Sequence, residues 1–249
     1  MQRSEPRTSG VMLRSLAVIP AFNEAASVGA VVESAIEELP GWDVVVIDDG
    51  SDDETAVVAA RAGAHVVSTP YNLGIGGAVQ TGFIFARDSG YQRMVQIDGD
   101  GQHETAAVAT LEQRMADSGA DMVCGSRFLG EGDHYPAPIS RRTGIHIFAF
   151  LLSSFLRQRV TDPTSGFRLY NRRAIELFAT DYPPDYPEVE VVLMLHQHRL
   201  KMAEVSVQMQ LRQNGNSSIS SGKSAYYMVK VLLALFVGLL RARKPARAG

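Results

Sequence analysis

The chain has 249 residues, of which 45% are hydrophobic and 20% charged, a globular composition that excludes a low-complexity polymer. The single cysteine, Cys124, excludes an internal disulfide framework and agrees with a reducing compartment. The net charge of −3 conceals a basic end, because residues 205–249 contain seven Lys and Arg but no Asp or Glu. This asymmetry suggests a phosphate-bearing partner or an anionic membrane surface. Residues 1–14 lack an apolar segment, so we predict a disordered polar tail and no secretory signal.

The first half of the chain alternates short apolar runs with helical patterns. The predicted strands cover residues 16–20, 44–47, 65–68, 94–97 and 122–124. The predicted helices cover residues 24–39, 51–62, 73–88 and 104–118. Ser51 and Glu54 have the spacing of a capping box, which predicts that they begin the second helix. The alternation predicts an α/β fold with a mostly parallel sheet and helices on both faces.

The second half has a different organisation. It contains predicted helices at 144–156 and 188–199, a strand at 202–209 and an apolar helix at 225–243. We therefore expect one domain over residues 15–224, followed by a C-terminal apolar helix with a basic tail over residues 225–249.

The strongest chemical signal is the pair Asp98 and Asp100, which follows the fourth predicted strand directly. Alternate residues of an extended segment point to the same side, so both carboxylates can face one cation. Mg²⁺ prefers such oxygen ligands and completes its shell with water and phosphates. Gln102 and His103 follow at once and offer a further ligand. A solvated acidic turn is the alternative for a pair of this kind taken alone.

Other polar clusters also follow predicted strands, where ligands of parallel sheets bind. Asp48 and Asp49 end the second strand, and either carboxylate can bind a ribose hydroxyl or a base edge. Glu24 follows the first strand, where a first-turn helix charge is the alternative role. Gly76 belongs to a glycine-rich segment that departs from the dinucleotide fingerprint at Val79 but still permits close packing on a nucleotide.

Five segments occur in an order that resembles the inverting glycosyltransferase family 2, which has the Rossmann-like GT-A fold. They are residues 18–24 (VIPAFNE), 46–51 (VIDDGS), 72–76 (NLGIG), 96–103 (QIDGDGQH) and 125–128 (GSRF). Within that family the chain is most similar to the dolichyl- and polyprenyl-phosphate sugar synthases. The resemblance covers about residues 15–225.

The resemblance implies a metal-dependent hexosyltransferase that uses a nucleotide-sugar of the UDP-glucose or GDP-mannose type. Asp98, Asp100 and Gln102 would hold Mg²⁺ or Mn²⁺, and Arg127 would face the phosphates. The implied nucleotide-sugar residues, with Asp48 and Gly76 added from the strand ends, are Pro20, Phe22, Glu24, Asp48, Asp49, Gly76, Asp98, Arg212, Ser217 and Ser218. Arg141 or Arg142 would reach the acceptor phosphate. Surface ion pairs are the alternative role for each arginine.

Asp162, in the segment TDPTSGFR (161–168), distinguishes two acceptors. A phosphate monoester is largely dianionic at neutral pH and attacks without a protein base. A sugar hydroxyl needs a base, and Asp162 or Glu188 would supply it. With a phosphate acceptor, both residues would have positioning roles, Glu188 as part of the acceptor-binding set. We expect a polyprenyl phosphate, with a saccharide hydroxyl in cell-wall or capsule synthesis as the alternative.

Residues 231–240 form ten unbroken apolar residues, followed by four cations. This is shorter than the roughly 20 residues of a membrane span and is typical of an interfacial helix, a core helix or an oligomer interface. We expect a cytoplasmic enzyme at the inner face of the plasma membrane, held by peripheral contact or a small membrane protein. A homo-oligomer is possible, and no nucleic-acid partner is expected.

Two other classes of protein fit the sequence less well. A nucleotidyltransferase would need a basic glycine-rich loop near the N-terminus to hold a triphosphate, and the sequence offers none. A silent scaffold subunit would have no need for the Asp98, Asp100 and Gln102 set.

Overall fold

The computed structural model of the protein describes residues 13–99, 105–129, 139–156, 158–184 and 187–208. Within them, seven strands form one sheet in the order β3-β2-β1-β4-β6-β5-β7. The strands are β1 (Ser15–Ala21), β2 (Trp42–Asp48), β3 (His65–Ser68), β4 (Arg93–Gln96), β5 (Met122–Ser126), β6 (Arg168–Asn171) and β7 (Met202–Ser206). The pairs between β3, β2, β1 and β4 are parallel, and so is the pair of β5 with β7.

Helices cover both faces of this sheet, as the apolar strands require. They are α1 (Val28–Glu38), α2 (Thr55–Arg61), α3 (Gly74–Asp88), α4 (Val108–Ser118), α5 (Ile139–Leu156), α6 (Arg172–Thr180) and α7 (Pro187–Gln197). One core cluster joins the sheet to α3 and α6 through Phe83, Tyr170 and Phe178, and it includes buried residues of α7. The other joins the opposite face to α1 and α4 through Val32 and Leu111. The predicted α/β fold with a mostly parallel sheet is confirmed.

Strand β6 runs antiparallel to both of its neighbours, β4 and β5. Because it is reversed, the chain that precedes β6 lies at the edge where β4 and β5 end. The segment Thr161–Phe167 therefore joins the polar clusters of the first half at the carboxyl edge of the sheet. The sequence pattern did not predict β6 or α6, since the strand is only four residues long.

The capping box predicted at the start of α2 is wrong. The helix begins at Thr55 after Glu54, which makes no side-chain cap. Instead, Asp53 Oδ1 accepts the Thr55 backbone N–H at 2.9 Å. Burial opposes ionisation of Asp53, but hydrogen bonds from Thr55 and Ala25 outweigh it and lower the pKa of this carboxyl. Ser51 is used elsewhere, because its Oγ accepts the backbone N–H of Asn23 at 3.0 Å.

Cys124 lies in the middle of β5 and is fully buried. Burial raises the pKa of its thiol to about 12. Within the described ranges, no helix is both long and apolar enough to cross a bilayer. The predicted C-terminal helix over 225–243 lies outside the described residues, as does most of the predicted N-terminal tail.

Candidate active site

The loops after β1 and β2 are joined at the carboxyl edge of the sheet. Asn23 has a left-handed backbone with φ of 54°, and its Oδ1 accepts the Asp52 backbone N–H at 2.9 Å. Asn is one of the few residues that adopt this conformation readily, because its short polar side chain bonds locally. Pro20 is buried at the end of β1, whereas Phe22 is 43% exposed. The first loop therefore presents an aromatic ring at the edge where Asp48 ends β2.

Asp49 organises the start of α3. Its Oδ1 accepts the Leu73 backbone N–H at 2.9 Å and the Thr69 hydroxyl at 3.1 Å, and its Oδ2 accepts the Gly74 backbone N–H at 2.9 Å. The carboxylate is 3% exposed. These donors fix the segment 69–74 against the end of β2. Asp48, the neighbouring carboxylate, accepts the Ser51 backbone N–H at 3.2 Å.

Gly76 lies on the first turn of α3, where another part of the chain approaches closely. A Cβ atom here would lie 2.6 Å from the backbone oxygen of Pro183 and would also clash with that of Pro184. Close packing of α3 against the backbone of Pro183 and Pro184 therefore explains the glycine in the structure. Its predicted role in binding the nucleotide stays a prediction.

Asp98 follows β4 and is half-buried. A Cβ built on Gly166 would lie 2.9 Å and 3.1 Å from its two carboxylate oxygens. The chain after β4 is tied to the first loop, because the Ser27 hydroxyl lies 2.8 Å from the Gly99 carbonyl oxygen and 2.9 Å from Glu24 Oε2. Glu24 and Asp98 therefore belong to one connected edge.

The second acidic group near Asp98 is Glu188, at the start of α7. Burial raises the pKa of the Glu188 carboxyl, and the negative charge of Asp98 adds to this. Arg168 connects the surrounding elements, since its Nη2 donates to the backbone oxygens of Glu188 at 2.6 Å and Pro163 at 3.1 Å. Its Nε is buried and has no hydrogen-bond partner among the described residues.

Arg127 and Asp162 form a buried, bidentate ion pair at the end of β5. Arg127 Nε donates to Asp162 Oδ2 at 2.6 Å, and Nη2 donates to Oδ1 at 2.7 Å. The Asp162 side chain is 0% exposed and that of Arg127 only 6%. Thr164 completes the group, because its hydroxyl oxygen accepts from Arg127 Nη2 at 2.7 Å. The sequence predicted both charged residues, but not that each is the other's partner.

Glu204 on β7 binds the backbone of the segment that contains Asp162. Its carboxylate oxygens accept the backbone N–H groups of Thr161 and Asp162 at 2.8 Å and 3.1 Å. Its Oε2 also accepts the Thr161 hydroxyl at 2.8 Å. Burial raises the pKa of the Glu204 carboxyl. Sequence reasoning missed this residue, although a lone carboxylate in an otherwise apolar strand was a usable signal, since such groups are rarely buried unless paired.

The donor chemistry at this edge fits a hard divalent cation. Asp98 offers carboxylate oxygens beside a second acidic side chain, and Mg²⁺ and Mn²⁺ prefer oxygen ligands. The described residues contain no group of three or more His, Cys, Asp or Glu that would hold a metal by themselves. The other predicted ligands, Asp100 and Gln102, lie outside the described residues.

Several predicted binding residues fall outside the part of the chain that the structure describes. These are Arg212, Ser217 and Ser218, together with the side chains of Arg141 and Arg142 on the first turns of α5. Their predicted roles with the diphosphate and the acceptor stay predictions.

Comparison with known proteins identifies the class. The model of glycosyl transferase family 2 matches residues 16–178. The chain therefore belongs to this family and is a glycosyltransferase. It is 30% identical to the undecaprenyl-phosphate mannosyltransferase of Micrococcus luteus, covering 93% of this chain and 99% of the relative. It is 28% identical to the polyprenol monophosphomannose synthase of Mycolicibacterium smegmatis, covering 91% and 89%.

Among solved structures, the fold is similar to glucosyl-3-phosphoglycerate synthase from Mycobacterium tuberculosis in complex with Mn²⁺, UDP and phosphoglyceric acid. The TM-score is 0.69 at 21% identity, and the alignment covers 95% of this chain and 81% of that one. This likeness confirms the predicted GT-A fold.

Proposed function

We propose that this glycosyltransferase transfers a hexose from a nucleotide-sugar to a polyprenyl phosphate, with inversion at the anomeric carbon. The relatives whose names specify a polyprenyl-phosphate mannosyltransferase or synthase span nearly the whole chain. Mannose is therefore the first sugar to test, with GDP-mannose ahead of UDP-glucose as donor.

The choice of acceptor rests on one observation, that the Asp162 carboxylate is buried and paired with Arg127. Its two oxygens accept from Arg127, and the side chain is 0% exposed, so it is badly placed to take a proton from a substrate. A phosphate acceptor needs no protein base, because it is largely dianionic at neutral pH. The buried ion pair thus favours a phosphate over a sugar hydroxyl.

In the proposed reaction, an oxygen of the acceptor phosphate forms a bond to the anomeric carbon. The bond from that carbon to the nucleoside diphosphate breaks, and the diphosphate leaves with the electron pair. Asp98, with Asp100 and Gln102, would hold a divalent metal, which supplies positive charge for the leaving diphosphate. Arg127, which is paired with Asp162 and Thr164 and is only 6% exposed, would position this edge of the site rather than supply an unpaired charge to the two anionic substrates.

A sugar hydroxyl acceptor remains the second candidate because of Glu188. This carboxyl is half-buried at the start of α7, close enough to Asp98 for their charges to interact, and burial raises its pKa. A base with a raised pKa near the leaving group suits proton removal from a hydroxyl.

The first test is a transfer assay with labelled nucleotide-sugars, Mg²⁺ or Mn²⁺, and either a short polyprenyl phosphate or an oligosaccharide. Asp98→Asn and Asp100→Asn serve as inactive controls. We expect labelled lipid from the wild type and none from the controls. Labelled saccharide without labelled lipid would overturn the proposed acceptor. If no donor gave either a product or hydrolysis, the proposed transferase activity would be overturned.

Glu188→Gln separates the two acceptors in the same assay. With a phosphate acceptor, the variant should keep the wild-type dependence of kcat/KM on pH, because no proton is removed by the protein. With a hydroxyl acceptor, the acidic limb of that profile should disappear together with most of the activity. Asp162→Asn is a poor test here, since releasing Arg127 would lower transfer to either acceptor.

We further propose that the enzyme works in the cytoplasm at the inner membrane surface by peripheral contact. Support comes from the lipid acceptors in the relatives' names, the basic C-terminal sequence, and three exposed apolar side chains of α5, Ile147, Phe150 and Leu151. Co-sedimentation with vesicles should be stronger for anionic than for zwitterionic lipid and should weaken with salt. Equal sedimentation with the two kinds of vesicle would contradict it.

A further inference from the structure

Gly166 lies in the segment that precedes β6 and faces Asp98, a predicted metal ligand. In the antiparallel pair of β4 and β6, Gln96 lies opposite Arg168. The ladder ends there, but the same register continued by two residues would set Asp98 opposite Gly166. The distances agree, because a Cβ at Gly166 would lie 2.9 Å from Asp98 Oδ1 and 3.1 Å from Oδ2. The carboxylate therefore rests directly on the bare backbone of this glycine.

Space, rather than backbone conformation, requires glycine at this position. Gly166 is not among the residues with positive φ, so an L-residue can adopt its backbone without strain. A Cβ would instead meet both oxygens of Asp98 and, at 3.3 Å, the Nε2 atom of Gln96. Gln96 is 5% exposed and has little freedom to move. The half-buried Asp98 carboxylate is therefore the group that an added Cβ would displace.

The segment that carries Gly166 is itself held firmly. Its first residues are bonded to Glu204, and Asp162 and Thr164 are bonded to Arg127. At its far end, β6 pairs with both β4 and β5. The backbone at Gly166 therefore cannot withdraw easily when a side chain is added, because it is fixed on both sides.

We propose that Gly166 is a positioning residue that sets where the Asp98 carboxylate lies and thereby determines how tightly the site binds a divalent metal with the nucleoside diphosphate. This inference rests on the proposed metal-dependent function. Gly166 would act through its lack of a side chain, not through a functional group. The surface that it offers to Asp98 is made of backbone, so any side chain at this position would shift a predicted metal ligand.

The test compares Gly166→Ala with a matched glycine, Gly29→Ala. Gly29 also lacks a positive φ, and a Cβ there would lie 3.0 Å from a side-chain atom, Val58 Cγ1, on the contact between α1 and α2. Mn²⁺ is titrated by calorimetry in the presence of UDP or, in a separate arm, GDP. Groups that orient a metal ligand typically change metal affinity about 10- to 100-fold. We expect a loss in that range for Gly166→Ala and wild-type affinity for Gly29→Ala.

Wild-type affinity in a folded Gly166→Ala variant would overturn the proposal. An equal loss in Gly29→Ala would overturn it too, because the effect would then be general. If the wild type itself bound no Mn²⁺ with either nucleotide, the proposed metal-dependent function would fail. The effect of Gly166 on metal affinity would be overturned with it, and stability measurements would still test whether Gly166 positions Asp98.

A double-variant cycle with Asp98→Ala provides that second measurement. Removing the carboxylate removes the two nearest atoms that an alanine at position 166 would meet and leaves only Gln96 Nε2 at 3.3 Å, so the two substitutions should be non-additive in the free energy of unfolding. Gly166→Ala should destabilise the wild type but not the Asp98→Ala background. If Gly166→Ala alone fails to fold, the double variant should fold again. Additive effects, or a double variant that also fails to fold, would show that Gly166 does not act through Asp98.

Discussion

Replacing Asp162 by asparagine tests how much the buried ion pair with Arg127 stabilises the protein. The substitution keeps the shape of the side chain, removes its charge and turns one of the two acceptor oxygens into an NH2 donor. Arg127 would then keep the Thr164 hydroxyl and one amide oxygen as acceptors, but its buried cation would lose its counter-charge. Because both side chains are almost inaccessible to water, solvent cannot replace the lost partner.

The size of the effect follows from this burial. Removing one partner of a buried pair typically costs about 3–5 kcal/mol. We take the lower end, about 3 kcal/mol, because Thr164 and the new amide compensate in part. For a chain of this size, 1 kcal/mol shifts Tm by about 2–4 °C, so the expected decrease is about 6–12 °C.

Thermal and urea unfolding of Asp162→Asn at neutral pH would measure this loss. Glu176→Gln is the matched control, because it removes the same kind of charge from a pair that is accessible to solvent. In this pair the side chain of Arg172 is 31% exposed and that of Glu176 is 56% exposed. Exposed pairs contribute about 0–1 kcal/mol, so the control should remain close to the wild type. Equal stability of Asp162→Asn and the wild type would refute the reasoning.

Three further outcomes are expected. The pKa of Glu204 is raised above 4.5, so its contribution to stability is present below pH 4.5 and lost as pH rises. Urea unfolding of Glu204→Gln should therefore show the variant gaining on the wild type as pH increases, and a pH-independent difference would contradict this. Gly76→Ala should lower the free energy of unfolding by about 1–3 kcal/mol, since its Cβ meets the backbone of Pro183 and Pro184; an unchanged urea midpoint would contradict this. Asn23→Ala should lose roughly 1–2 kcal/mol from its left-handed backbone, and Asn23→Gly should lose less; the reverse order would argue against strain there.

Much of the first half of the chain was predictable because local patterns decide it. The apolar runs that became β1, β2 and β4 are buried on both faces, so they are continuous in sequence and easy to recognise. Their polar ends then had to meet at one edge of a parallel sheet. The strand pattern alone therefore predicts a common site for Glu24, Asp48 and Asp98.

The rest depended on contacts that no local pattern contains. Arg127 and Asp162 are 35 residues apart and were assigned separate roles, yet each accounts for the other's burial. The reversed strand β6 pairs with strands on both sides. With only four residues, it is too short for an alternation of buried and exposed residues to be recognised in the sequence. The capping-box prediction failed because Ser51 bonds to the first loop, a tertiary contact that replaced the local one.

The burial of Cys124 has a practical consequence for experiments in solution. Thiol reagents react with the ionised form, and a buried thiol with a pKa of about 12 supplies almost none of it. The folded protein therefore behaves towards maleimide or spin-label reagents as if it contained no cysteine. New cysteines introduced at exposed positions, such as Tyr71 beside α3 or Phe150 on α5, would carry a probe without background labelling. Distances between such probes could report on substrate binding without any change to the native sulfur.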